Sequence, residues 1–223
     1  MKLETLYEYI EKIGVMSFST MYQDEVHSRS AHFNGFDDDG LYFRTMANKP
    51  YARQLLKTGK LTVCGISDGR VSDAGGNLIF PPSFTLRLIG DVRFVSPEDI
   101  IEKAKTNPLL QTAAQDIVNY PAMANGNFVM YRAKGEIFDA DFEMKHRDYK
   151  VLRTRFAFGG ATFNPAGVRI TDKCIECGVC KDICSFQAIE EGTPYRCIPE
   201  HCDDCGSCLQ VCPVDAILES LVF

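Results

Sequence analysis

Two stretches decide how this chain is read: Cys174-Ile175-Glu176-Cys177-Gly178-Val179-Cys180-Lys181-Asp182-Ile183-Cys184 and Cys202-Asp203-Asp204-Cys205-Gly206-Ser207-Cys208-Leu209-Gln210-Val211-Cys212. The second repeats the first 28 residues on, and Ala188-Ile189 recurs as Ala216-Ile217 at the same offset. Each has the spacing C-x2-C-x2-C-x3-C, with Pro213 after the last cysteine of the second copy. Three thiolates on one tight loop can reach three irons of a cubane, while the fourth opens a helix that points to the other half. The expected ligand sets are therefore crossed. One 4Fe–4S cluster takes Cys174, Cys177, Cys180 and Cys212; the other takes Cys202, Cys205, Cys208 and Cys184. Gly178 and Gly206 let the backbone wrap closely, so that its N–H groups can donate to sulfur. Zinc is the alternative for paired C-x2-C units, and eight cysteines in duplicated order count against it.

This region resembles the bacterial-type two-4Fe–4S ferredoxins over its whole length, which implies that the protein moves electrons. One departure from their pattern is Ser185, which follows Cys184 where those proteins usually have proline. It is expected to loosen the loop near the second cluster without removing a ligand. Cys197 lies outside the pattern and is expected to pack as a small apolar residue. Nine of the ten cysteines fall between Cys174 and Cys212, at ligand spacing, so a reducing compartment fits better than a secreted disulfide framework. The net charge of −6 is uneven: residues 171–223 carry −7 and the remainder +1. An acidic module argues against nucleic acid and for a redox partner protein with a basic docking face. The start, Met1-Lys2-Leu3-Glu4, has no apolar segment of a signal peptide. No apolar run approaches the roughly 18 residues of a membrane span, so the expected location is the cytoplasm.

Upstream of the repeat, hydrophobic periodicity predicts a mostly β domain. Leu3, Leu6, Tyr7, Ile10 and Ile13 have helical spacing. Val15–Met21, Glu25–Phe33 and Leu41–Thr45 read as strands, with a turn at Asp37-Asp38-Asp39-Gly40. A short helix is predicted from about Pro50 to Lys57, ended by Gly59, and strands follow at Leu61–Ile66, Phe84–Val95 and Asn127–Ala140. Ser96-Pro97-Glu98-Asp99 reads as a capped helix start, Ser67–Ser83 as a loop, and Asp141–Arg153 as a polar helix. About six strands with few helices suggest a closed or nearly closed antiparallel barrel. The Gly/Pro-containing stretch near Gly159–Gly167 places the domain boundary there, giving residues 1–165 and 166–223.

What the clusters serve is read from Phe43-Arg44-Thr45-Met46-Ala47-Asn48-Lys49-Pro50-Tyr51-Ala52-Arg53-Gln54-Leu55. The stretch leaves a strand and enters a helix past Thr, Asn and Lys, a natural phosphate site; an ordinary solvated helix start has the same composition. No G-x-G-x-x-G follows a strand, so a Rossmann nicotinamide site is not supported. The order His27-Ser28-Arg29-Ser30-Ala31, Leu41-Tyr42-Phe43-Arg44-Thr45, Asn48-Lys49, Gln54-Leu55 and Leu86-Arg87-Leu88-Ile89-Gly90 resembles the pyridoxamine 5′-phosphate oxidase-related flavoproteins over roughly residues 1–160. That resemblance implies a split β-barrel binding FMN at a homodimer interface. It implies Arg29 and Ser30 along the flavin, Thr45 and Lys49 on its phosphate with Asn48 and Arg53 assisting, and Arg87 facing the partner's flavin or pairing inside the barrel. His27 and His32 are further candidates to approach the flavin, Cys64 is expected in the core, and no catalytic residue is assigned.

The combined reading is an α+β, mostly β protein: an FMN-binding split barrel followed by a small ferredoxin-like α+β domain. It describes an oxidoreductase that passes electrons between a redox partner, two 4Fe–4S clusters, FMN and a small-molecule substrate. Two rivals stay open. One is an electron carrier with no substrate of its own; the other is a sensor or binding protein holding haem or a deazaflavin.

Overall fold

Helical spacing in the first thirteen residues becomes α1 (Leu3–Ile13), which buries Leu6, Tyr7 and Ile10. Alternation then produces β1 (Met16–Tyr22), β2 (Glu25–Ala31), β3 (Gly35–Asp37) and β4 (Gly40–Thr45). Pro50 in its first turn and Gly59 in the left-handed conformation at its end delimit α2 (Pro50–Thr58). β5 (Lys60–Ile66), the short pair β6 (Val71–Ser72) and β7 (Leu78–Ile79), and the long β8 (Ser83–Val95) follow. Ser96 Oγ accepts from the Asp99 N–H at 3.1 Å, capping α3 (Pro97–Ala104). A 3-10 turn (Pro108–Leu110), α4 (Gln111–Asn119), β9 (Gly126–Asp141) and β10 (Lys150–Phe158) complete this part. The computed structural model describes residues 1–67, 71–72, 78–79, 83–120, 126–141 and 150–219.

By contact the chain forms two units. The first comprises Met1–Ser67, Leu86–Gly135 and Phe156–Thr162; the second comprises Asp68–Thr85, Glu136–Arg155 and Phe163–Phe223. The large sheet runs β2-β1-β5-β8-β9-β4-β3, with β10 also paired to β9. The register is antiparallel from Met16↔Ala31 to Tyr22↔Glu25 in β1/β2, and from Leu41↔Met130 to Thr45↔Gly126 in β4/β9. The closed or nearly closed barrel expected from strand count is thus an open path among the described residues, ending on β2 and β3.

β4 explains why the first unit holds together. Its residues Gly40–Phe43 are all buried, because both faces of β4 and β9 are covered. On one face Phe43 stacks on Phe128 at 5.6 Å and packs with Phe18 and Phe33. On the other, Tyr42 and Val129 join Val95, Ile100, Leu110 and Ile117 from β8, α3, the 3-10 turn and α4. The turn between β3 and β4 is pinned from outside: Lys103 Nζ reaches Asp37 at 2.7 Å and Asp39 at 2.8 Å. That bond to Lys103 lowers the Asp39 carboxyl below its ordinary pKa.

Two expectations are corrected here. α4 was not foreseen, although Leu110, Ala113, Ala114 and Ile117 have the spacing of an apolar helical stripe. The polar helix over Asp141–Arg153 is not observed where the residues are described: Lys150–Arg153 belong to β10, and residues 142–149 lie outside the described set. Val151, Thr154 and Phe156 favour a strand, and Arg153 at the end of the stretch is buried in an ion pair. Most of the Ser67–Ser83 loop also lies outside the described residues.

Phe43 sits at the centre of the aromatic cluster and is 1% exposed. Replacing it with alanine is expected to cost about 3–5 kcal/mol. Chemical denaturation of the anaerobic protein measures this, and a loss below about 1 kcal/mol would contradict the central place given to β4.

Candidate functional site

In the second unit the cysteine repeat takes the same backbone path twice. Glu176 and Asp204 occupy the left-handed region at φ +60° and +57°, and Gly178 and Gly206 at +81° and +76°. A β-carbon is disfavoured at such glycine angles, so each loop can double back directly into its helix. Those helices are α5 (Val179–Ile183) and α6 (Ser207–Val211). Two short strand pairings frame them: β11 (Arg169–Ile170) with β14 (Ile217–Leu218), and β12 (Ile189–Glu190) with β13 (Arg196–Cys197). Cys180, Ile189 and Ile217 form the small core, with Val168, Ile170 and Tyr195 packed on it.

The thiols gather in two groups. Cys174, Cys177, Cys180 and Cys212 line one cavity together with Ile170 and Ile217. Cys208 lies within electrostatic reach of Cys202, Cys184 and Cys205; burial first, and then these neighbours, push its thiol up to about 11. Cys180 is raised likewise, by burial and by Cys174 and Cys177. Iron binds the thiolate form, so these cysteines would have to give up their protons to hold a cluster. The recurrence of Ala188 as Ala216 has a geometric basis. Both are 1% exposed, and their N–H groups donate to Cys184 Sγ at 3.3 Å and Cys212 Sγ at 3.2 Å.

Cys197 packs in the small core and does something further. Its thiol lies beside that of Cys202, and this neighbour with burial raises the Cys197 thiol while lowering that of Cys202. Nothing in the sequence spacing marks this, because the contact arises from where β13 falls.

The first unit holds a cavity of about 370 Å³ lined by Arg44, Thr45, Lys49, Asp116, Tyr120 and Asn127, with Met46 and Ala113. Thr45 ends β4 and Lys49 is the residue before α2, so the strand-to-helix passage brings both to one place. Gly126 makes the passage possible: a β-carbon there would lie 2.0 Å from the Thr45 carbonyl oxygen. Arg44 is ion-paired to Asp116 of α4, whereas Lys49 has no ion pair among the described residues. A hydroxyl, an ammonium and a helix N-terminus form a donor set that suits a phosphate. Arg53 donates to the Asn48 carbonyl at 3.1 Å and braces the turn from outside the cavity.

The other anticipated residues are placed elsewhere. Arg29 on β2 donates to Gln54 Oε1 at 3.1 Å and lies 4.6 Å above the Tyr51 ring, so it grips α2. Burial raises the Tyr51 hydroxyl pKa, and its oxygen has no hydrogen-bond partner among the described residues. Ser30 is exposed across from Ser17, and Arg87 is exposed between buried Leu86 and Leu88. His27 approaches Glu25 at 3.7 Å and His32 is exposed. Cys64, expected in the core, is exposed: it pairs with Ser17, whose side chain also faces outward. Arg44, Asp116, Tyr120 and Asn127 were missed, since three of them depend on α4 and on the β4/β9 register.

The 4Fe-4S binding domain family matches residues 168–190 and 198–218, so the C-terminal part carries this iron–sulfur domain in two copies and has an electron-transfer character. No curated protein matches the chain. Among solved structures, it is similar to a NimC/NimA family protein from Clostridium acetobutylicum at 16% identity, covering 70% of this chain and 92% of that one, with a TM-score of 0.46. It is also similar to a protein from the same organism described as related to general stress protein 26 of B. subtilis and as of the pyridoxinephosphate oxidase family. The identity there is 14%, the coverages 69% and 92%, and the TM-score 0.42. The FAD and heme binding protein from Mycobacterium smegmatis follows at 12%, with coverages of 56% and 63% and a TM-score of 0.40. Likenesses this distant carry no functional argument. No helix among the described residues is long and apolar enough to cross a membrane.

Crossed ligation has a direct test in pairs of cysteine-to-serine variants, scored by iron content. Cys174→Ser/Cys212→Ser should lose half the iron, no more than either single variant. Cys174→Ser/Cys184→Ser should lose nearly all of it. The reverse pattern would mean that each repeat holds its own cluster.

Proposed function

We propose that this protein is an FMN- and iron–sulfur-dependent oxidoreductase that passes electrons between a redox partner protein and a small-molecule substrate. The observation that carries the flavin half is the shared cavity of Thr45 and Lys49 at the start of α2. Lys49 would offset the phosphate charge, Thr45 and the first N–H groups of α2 would donate to it, and Asn48 and Arg53 would hold the turn. Arg29 would fix α2 against β2 through Gln54 and Tyr51, leaving Ser30 and Arg87 on the outward side of the sheet. FMN, when bound, supplies a centre that exchanges electrons singly and in pairs, which suits it to lie between one-electron clusters and a two-electron substrate.

The reading includes a homodimer with the flavin at its interface. Its support is the outward side of the sheet, where Val26, Met21 and Ile66 are more than 60% exposed and Met21 stands directly across from Val26. The charge of −7 on residues 171–223 supports a partner with a basic face.

Anaerobic purification and an absorption spectrum test the cofactor content. The expected result is oxidised-flavin bands over a broad iron–sulfur shoulder; a Soret band, or no flavin, would sink the FMN assignment. Lys49→Ala should lose most of the flavin while keeping its full iron content, and undiminished flavin in that variant would contradict the phosphate site. Reoxidation of the reduced protein by a substrate, rather than by a partner protein alone, separates an enzyme from a relay.

A further inference from the structure

We propose that Arg153 and Arg155 are positioning residues that raise the reduction potential of the cluster held by Cys202, Cys205, Cys208 and Cys184, making the two clusters unequal. The proposal rests on the iron–sulfur half of the reading above and not on the flavin.

Both arginines lie on β10, with side chains only 5% and 4% exposed. Arg155 Nε donates to Glu136 Oε2 at 2.8 Å, and its Nη2 donates to Asp204 Oδ2 at 2.9 Å. Arg155 Nη1 donates to the carbonyls of Asn164 and Pro165 at 2.8 and 2.9 Å. Arg153 Nη1 bonds the same Asp204 oxygen, while its Nη2 donates to the Asp203 carbonyl at 3.2 Å and its backbone N–H to the Glu200 carbonyl at 2.9 Å. The second Asp204 oxygen accepts from the Gly167 N–H at 2.8 Å. Asp204 is therefore held from every side, and its own N–H donates to Cys202 Sγ at 3.4 Å. A chain of contacts runs from the two guanidinium groups through the Asp204 carboxylate and backbone to a cluster thiolate.

The first repeat lacks this apparatus. Glu176 occupies the equivalent position with the same left-handed backbone, yet it makes no ion pair among the described residues. Its neighbour Ile175 is 60% exposed. Two loops of one pattern thus differ in whether the rest of the chain grips them.

Reduction of a cubane adds one electron and one negative charge, with no bond made or broken. A fixed N–H···S bond and buried positive charge both favour the added electron. The arginines are nearly dry, so solvent and salt screen them little. Glu136, Asp204 and Asp203, the last at 3.7 Å from Arg153, offset their charge, so removing a guanidinium would leave these carboxylates unbalanced beside the thiolates and disfavour the added electron.

The test is a potentiometric titration of the whole protein with dithionite as reductant, followed by electron paramagnetic resonance. Arg153→Gln and Arg155→Gln should each lower one midpoint, assigned to the second cluster by its absence in Cys202→Ser, and leave the other in place. Two unmoved midpoints, or equal shifts in both, would overturn the proposal. Should a glutamine variant retain only half its iron, the lysine variant at that position is read instead. It should keep both clusters and shift the same midpoint by less; an unshifted midpoint there, or continued loss of iron, would reduce the arginine to a support of the fold and overturn the proposal.

Discussion

The pairing of β4 with β9 is the constraint on which the first unit depends. Where they pair, Leu41–Phe43 and Phe128–Met130 are covered on both faces, so the register Leu41↔Met130 to Thr45↔Gly126 cannot slip without exposing Phe43 and Phe128 or Tyr42 and Val129. The end of that ladder fixes where the chain leaves the sheet. Thr45, the turn through Asn48 and the start of α2 follow from it, and so does the meeting of Arg44 with Asp116. The cavity is a by-product of a strand that must stop where Gly126 allows the closest approach.

The second unit follows a different logic. Its core around the cysteines is small, its strands there are two residues long, and several thiols are raised by burial and mutual repulsion. Such a module gains much of its stability from metal–thiolate bonds rather than from apolar area. Backbone N–H groups of Ala188, Ala216 and Asp204 already point at the sulfurs. The polypeptide is arranged to receive negative charge at those positions.

How much of this was legible in the sequence depended on how local each feature is. The cysteine repeat, the turn glycines, α1, α2 and the capped start of α3 are fixed within a few residues, and they were readable. Thr45 and Lys49 were readable because four positions separate them on a strand-to-helix passage. Asp116 and Asn127 were not, since they reach the cavity only through the packing of α4 and the register of β9. The start of β10 was not legible because Arg153 looks solvated until its carboxylate partners Glu136 and Asp204, 17 and 51 positions away, are placed around it. Cys64 was misread for the opposite reason: an apolar strand suggested burial, but position 64 falls on the outward side of the alternation.

Glu136, Arg153 and Arg155 also bear on how such a protein can be inherited or dissected. The second unit is assembled from separate lengths of chain, and the residues that grip Asp204 precede the cysteine repeat. A fragment cut just ahead of the repeat would retain all eight ligating positions yet carry a carboxylate stripped of its counter-charges. Recombination that swapped in another iron–sulfur segment would face the same mismatch unless it brought an acid to position 204. The cysteine pattern is portable; the setting of its second loop is not.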